Sequence, residues 1–143
     1  NQIMQGKQLT VFGDGTQTRA FSYIDDVAIP IARSVEIPAA YNEVFNIGAD
    51  KPYTVNELAE VVCKEFGVSP DINYLSARNE VLHAYSDHTK AHAVFGAPTG
   101  ISLAEGIARM AAWAKRVGAR QSQEFGNIEI TEKLPDGWGI KKG

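Results

Sequence analysis

The run Val11-Phe12-Gly13-Asp14-Gly15-Thr16-Gln17-Thr18-Arg19-Ala20-Phe21-Ser22-Tyr23-Ile24-Asp25-Asp26-Val27 puts a glycine turn, an arginine and an acidic helix start into one stretch. Leu9 to Phe12 and Thr18 to Ile24 carry alternating apolar and β-branched residues on either side of the turn, the pattern of a β-ribbon. Gly13-Asp14-Gly15 invites a phosphate-loop reading, because glycines let backbone amides approach an anion. A dinucleotide fingerprint needs a third glycine and a helix opening behind it, and Thr16-Gln17-Thr18 supply neither. A tight turn between two strands explains the run better. Alternation then sets Arg19, Phe21 and Tyr23 on one face and Ala20 and Ser22 on the other. A guanidinium among aromatic rings suits a phosphate, whose oxygens accept paired charge-assisted hydrogen bonds. A solvated or salt-bridged arginine is the alternative, and spacing alone favours it.

Outward from this run the pattern is α/β, about four helices with short strands between them. Asn1 to Gln5 reads as a helix end stopped by Gly6, with no cap before it. Such an abrupt start fits a piece of a longer chain or a shortened gene. Asp25 or Asp26 can cap a helix with Val27, Ile31, Ala32 and Val35 on one face, and Pro30 lies near enough to its start to be tolerated. Glu43 to Ile47 reads as a short strand. Thr54-Val55-Asn56-Glu57 is a capping box, opening a helix that buries Val55, Leu58, Val62 and Phe66 before Gly67. Asp71 to Leu75 alternates like a strand, and Ser86 or Asp87 opens a helix ending near Phe95-Gly96. A second box, Ser102-Leu103-Ala104-Glu105, starts the last long helix, striped by Leu103, Ile107, Met110, Ala114 and Val117. Phe125, Ile128, Ile130, Leu134 and Trp138 suggest that the tail over 118–143 packs, so 1–143 reads as a single domain.

The 143 residues suffice for one hydrophobic core. A net charge of -3 and a pI near 5.6 argue against a partner as anionic as nucleic acid. No apolar run approaches the roughly 20 residues that cross a bilayer. The lone Cys63 cannot make an internal disulfide, which fits a reducing, cytoplasmic setting, and among Val61, Val62 and Phe66 it reads as a small core residue.

A second polar cluster spans Ala77-Arg78-Asn79-Glu80-Val81-Leu82-His83-Ala84-Tyr85-Ser86-Asp87-His88-Thr89-Lys90-Ala91. In an extended segment Arg78 and Glu80 point the same way, a cation for phosphate beside a carboxylate for a ribose hydroxyl pair. A surface ion pair is the alternative. His88 and His92 stand four apart on a helix, yet no third ligand lies at a telling spacing, so surface histidines are expected and no metal. No nucleophile has a positioned base, and none of the five tyrosines has a lysine four residues on. No residue is therefore assigned a catalytic role.

Taken in order, several segments resemble the later part of the NAD-dependent sugar-nucleotide epimerases and dehydratases, the extended short-chain dehydrogenases. They are Gly6 to Gly15, Gln17-Thr18-Arg19 with Phe21, Tyr23 and Asp25-Asp26-Val27, Val44 to Gly48, Tyr53 to Leu58, and Arg78-Asn79-Glu80-Val81 with Ala84 to Ala91. The last cluster and Leu134-Pro135-Asp136-Gly137-Trp138 look most like the UDP-glucose 4-epimerase branch. Two departures are a loop shortened to Arg78-Asn79-Glu80 and Pro30 within a helix. The resemblance implies the C-terminal, substrate-binding portion of an extended Rossmann-type fold, without its Rossmann half. It implies that Thr10 and Phe12 receive the nucleobase through their backbone, Arg19 and Arg78 the diphosphate, and Glu80 the ribose.

The implied activity is NAD-dependent epimerisation of a UDP-sugar, with NAD and the catalytic pair supplied by the missing half and neither bound nor provided by this chain alone. Alternatives are a freestanding non-catalytic module that binds a nucleotide-sugar or serves assembly, and part of a sugar-nucleotide dehydratase. Expected partners are UDP or a UDP-sugar, the missing Rossmann half, and a second copy through an exposed docking face. Neither nucleic acid nor membrane is expected as a partner.

Overall fold

Two short sheets, each with a parallel pairing, carry the segments just quoted. The computed structural model describes residues 1–98 and 100–120. Strand β1 (Leu9–Phe12) pairs in parallel with β4 (Ile72–Leu75), in the register Leu9↔Ile72 to Phe12↔Leu75. Strand β2 (Thr18–Arg19) lies between β3 (Tyr53–Thr54), antiparallel to it, and β5 (His83–Ala84), parallel to it. The helices are α1 (Ile24–Arg33), α2 (Val55–Phe66), α3 (Thr89–Phe95) and α4 (Leu103–Val117). The α/β expectation of about four helices with short strands holds among the described residues.

The expected ribbon between β1 and β2 does not form. The Gly13 N–H donates to the Leu75 carbonyl at 2.9 Å, carrying the β1–β4 ladder one residue further, and the buried Gln17 side chain donates to the Phe12 carbonyl at 2.8 Å. The glycine turn therefore passes the chain from one sheet to the other. Alternation marks a strand, but parallel partners come from beyond a long crossover. Residues 43–47 form no strand either. Contacts with the α3 region hold this segment: Lys90 donates to the Val44 carbonyl at 3.1 Å and pairs with Glu43, and the Asn46 side chain donates to the Asp87 carbonyl at 3.5 Å.

Helix α2 starts as its capping box dictates. The Glu57 N–H donates to Thr54 Oγ1 at 3.0 Å while the Thr54 N–H donates to the Glu57 carboxylate at 2.6 Å. Gly67, in the left-handed region at φ 68°, ends it. Val55, Leu58, Val62 and Phe66 are half-buried, and the centre of the face is Ala59 and Cys63. This face packs on α4, whose buried residues are Leu103, Ile107 and Ala111. Met110 and Val117, expected in that stripe, are exposed: the packed line runs through Leu103, Ile107 and Ala111, and Met110 instead lines the cleft beside Tyr23. The second capping box is half made. Ser102 Oγ accepts from the Glu105 N–H at 3.2 Å, but the Glu105 carboxylate turns to Arg109 at 2.6 Å.

Helix α1 departs most from expectation. Tyr23 stands at its N-cap without a side-chain cap, and Asp25 and Asp26 lie inside the first turn, where the helix dipole favours them. Pro30 is interior and denies the Asp26 carbonyl its i→i−4 donor. No α1 residue is buried. Ile24, Ile29 and Ile31 are more than half exposed, as is Val35 in the turn that follows. Helix α3 opens later than expected from Ser86 or Asp87: His88 stands at its N-cap, and the Asp87 carboxylate before it accepts from the Thr89 N–H at 2.8 Å. Gly6 ends the short turn Ile3–Gln5.

The packed tail expected over 118–143 falls on residues 121–143 for its greater part, outside the described residues. Arg120 is tied to the chain start, its N–H donating to Asn1 Oδ1 at 3.1 Å. No helix among the described residues is long and apolar enough to cross a membrane.

Candidate functional site

Arg19 is the central strand's charged residue, in register with Tyr53 on one side and Ala84 on the other. One terminal nitrogen of its guanidinium donates to the Thr18 and Leu82 carbonyls at 2.7 and 3.3 Å. The other donates to Glu80 Oε2 at 2.9 Å. The guanidinium is therefore anchored on backbone along one edge and capped by a carboxylate on the other. Both side chains keep access to solvent, 27% for Arg19 and 41% for Glu80.

Arg78 takes a different partner. Its guanidinium carbon lies 3.4 Å from the centre of the Phe12 ring, at the end of β1. Arg78 and Glu80 do not extend side by side as expected. The Glu80 N–H donates back to the Arg78 carbonyl at 2.9 Å, and this tight bend sends the two side chains to separate partners. The aromatic surroundings expected for Arg19 fall instead to Arg78. β2 ends at Arg19, and the Tyr23 ring packs by Gly106 and Arg109. Of the residues predicted to bind ligand, Phe12 is thus joined to Arg78 and Arg19 to Glu80. Thr10 stands apart from them, its N–H and hydroxyl engaged by the Gln2 side chain at 3.3 and 2.8 Å.

The turn at residues 13–15 is closed to a cofactor phosphate. Gly13 and Gly15 both adopt positive φ, 74° and 76°. The Asn56 side chain donates to the Asp14 carbonyl at 2.9 Å and accepts from the Tyr74 hydroxyl at 3.1 Å, and its Oδ1 lies 2.0 Å from where a Gly15 Cβ would stand. Thr16 donates to the Asp14 carboxylate through its hydroxyl and its N–H, which holds that carboxyl below its usual range. The backbone is thus packed against α2, and β2 follows where a dinucleotide loop needs a helix. These residues do not fit the pyrophosphate of NAD.

His88 corrects the expectation of a surface histidine. It is 6% exposed, with Nδ1 2.7 Å from Asp50 Oδ1, and the space beside Gly48 lets its ring in. The His92 ring nitrogen lies farther from the same carboxylate, at 3.9 Å. No local signal marks this clip, since Asp50 comes from the irregular loop far upstream. Among the described residues no group of three or more side chains could hold a metal ion. Cys63 is a buried free thiol, as expected, and desolvation pushes its pKa up. A separate apolar cleft of about 480 Å³ lies between the Tyr23 segment and α4, lined by Phe21, Tyr23, Ile24, Ile107, Met110 and Trp113.

Residues 1–48 match the sequence model of the NAD dependent epimerase/dehydratase family. Over 134 residues, 92% of the chain, it is 34% identical to a UDP-glucuronate 4-epimerase of Thermodesulfobacterium geofontis and covers 38% of that protein. A crystal structure of UDP-glucuronic acid 4-epimerase from Bacillus cereus, in complex with UDP-glucuronic acid and NAD, superposes with a TM-score of 0.74 at 32% identity. That match covers 82% of this chain and 38% of the other. UDP-glucose 4-epimerase from Thermotoga maritima with UDP-glucose gives the same TM-score at 30% identity, covering 81% and 37%. The chain thus spans less than two-fifths of the length of these relatives.

Proposed function

Because the chain belongs to the NAD-dependent epimerase/dehydratase family, we propose that it is the C-terminal, nucleotide-sugar-binding portion of a UDP-sugar 4-epimerase and does not catalyse on its own. The observation that carries this reading is a bend serving two cations: Arg78 stacks on Phe12, and Glu80, two residues on, pairs with Arg19. A nucleoside diphosphate presents two adjacent negative groups, and guanidinium forks from two segments match them. Each well-placed charge-assisted bond contributes about 1.5–3 kcal/mol. Glu80 accepts from the ribose hydroxyls, and the uracil edge takes over the β1 backbone around Thr10 and Phe12 by displacing the Gln2 side chain from the Thr10 N–H.

The hydride chemistry belongs to NAD, held by the part of the enzyme that these residues do not form. What this chain supplies is grip and orientation: it fixes the diphosphate so that the sugar projects toward that other part. The reducing setting suggested by the lone Cys63 suits a cytoplasmic enzyme. Titration of the chain with UDP, followed by NMR, tests the reading. Weak saturable binding to UDP, none to NAD, and loss of UDP binding in Arg19→Ala/Arg78→Ala are expected. UDP binding indifferent to both substitutions would overturn it.

The exposed isoleucines of α1 favour a companion reading, in which this face is covered by the nucleotide-binding portion of the enzyme. Alone, the chain then self-associates through the face. Sedimentation velocity should detect dimers that Ile29→Lys disperses, and a monomer at all concentrations would count against it.

A further inference from the structure

Glu80 already occupies the position on Arg19 that a phosphate oxygen would take. We infer that Glu80 is a selectivity gate, which keeps Arg19 from anions that bring no hydroxyl pair to receive the displaced carboxylate. The inference rests on the diphosphate-binding reading of Arg19 and Arg78 and goes beyond it.

Three features of the site carry it. The first is that Arg19 cannot follow Glu80. Its inner nitrogen is fixed on the Thr18 and Leu82 carbonyls, so when the carboxylate leaves, the outer nitrogen stays in place and becomes free. Second, Glu80 can leave. It sits on an irregular bend between β4 and β5, closed by its own N–H on the Arg78 carbonyl, and its side chain is 41% exposed. An ion pair so accessible to water is weak and easily exchanged. Third, the two cations differ in readiness. Arg78 lies flat on Phe12 and, among the described residues, has no carboxylate partner, whereas Arg19 has one.

An arriving diphosphate therefore meets Arg78 first and must then displace Glu80 to engage Arg19. A bare diphosphate leaves the carboxylate close by and without a partner, and like charges in proximity repel. A nucleoside diphosphate carries its own remedy, because the ribose hydroxyls donate to the carboxylate as it swings away. The same residue thus opposes inorganic pyrophosphate and assists a nucleotide. No bond is made or broken in this exchange, and only hydrogen-bond partners change.

The test compares inorganic pyrophosphate with UDP, by NMR titration of the wild-type chain, Glu80→Gln, Arg19→Ala, Arg78→Ala and the double variant Arg19→Ala/Glu80→Gln. Glu80→Gln should bind pyrophosphate about three- to tenfold more tightly than wild type, and UDP no more tightly, so that selectivity falls. The gain should vanish in Arg19→Ala/Glu80→Gln. If Glu80→Gln leaves pyrophosphate affinity unchanged while Arg19→Ala weakens UDP, the gate is overturned and the diphosphate reading stands. A gain that survives removal of Arg19 reduces Glu80 to general repulsion and overturns the gate as well. If neither arginine affects UDP, the diphosphate reading fails and takes the gate with it. Amide spectra unchanged away from the substituted residues and their strand partners, residues 17–21, 53–54 and 78–84, establish that each variant is folded.

Discussion

The Arg78 guanidinium lies face-on to the Phe12 ring, 3.4 Å from its centre. The stack leaves the edge of the guanidinium, where its N–H groups point, free for an anion. It also restricts a long side chain that would otherwise lose rotamer freedom on binding. Replacing Phe12 by leucine keeps an apolar residue but removes the ring face. UDP affinity should fall about two- to fivefold, the range of an exposed cation–π contact. NMR titration of Phe12→Leu measures it, and an unchanged affinity would remove the stack from the clamp.

Gly15→Ala should destabilise the chain by more than about 1 kcal/mol, since a Cβ at φ 76° also meets Asn56 Oδ1 at 2.0 Å. Gly13→Ala has a similar φ but meets only Ala77 Cβ at 3.6 Å, so it should cost less. Urea denaturation of both variants ranks them. Adding Asn56→Ala should relieve Gly15→Ala but not Gly13→Ala, because only the first pair overlaps.

Stability should fall with acid through the α2 cap. The Thr54 N–H and hydroxyl hold the Glu57 carboxyl below its ordinary value of 4.5. A carboxyl lowered on folding stabilises the native state above its unfolded pKa, and that contribution is lost as pH falls through the folded pKa. Glu57→Gln should lower the urea midpoint near neutrality and flatten its decline below about pH 4.5. Equal slopes for the two proteins would deny the cap this role. Thr54→Ala, which removes the other half of the box, should cost about 1 kcal/mol.

Cys63 should resist thiol reagents in the native chain. It is 1% exposed, and burial keeps it protonated by raising its pKa. Labelling should proceed only as fast as the chain opens and accelerate steeply with urea. Rapid stoichiometric labelling in buffer would contradict the α2–α4 packing.

What the sequence discloses here is what neighbours in the chain decide. The Thr54–Glu57 box, the Gly67 stop and the apolar runs that become β1 and β4 depend on residues a few positions apart, and all were legible. The α1 stripe was legible as a pattern but not as a core, because nothing in Val27, Ile31 or Val35 says which surface covers them. Pairing was hidden wherever partners lie far apart. β1 looked like half of a ribbon because alternation is the same whichever strand lies alongside. His88 looked like a surface residue because its Asp50 partner arrives from a loop without periodic signal. At the site, Arg19, Arg78 and Glu80 were identifiable as residue types in order. The exchange of partners, Glu80 to Arg19 and Phe12 to Arg78, follows from a bend and a register that spacing does not encode.

Arg19 sits between Tyr53 and Ala84, strands from well downstream on either side of it. A growing chain therefore emits the arginine early and leaves it without its second neighbouring strand until residue 84 has been made. Contacts so distant in sequence form slowly, because a long loop must close before any pairing rewards it. Anion-binding ability should thus be the last property this segment acquires during synthesis. Any cut between α2 and Arg78 would leave Arg19 on one piece and Arg78 with Glu80 on the other, so that neither holds the clamp.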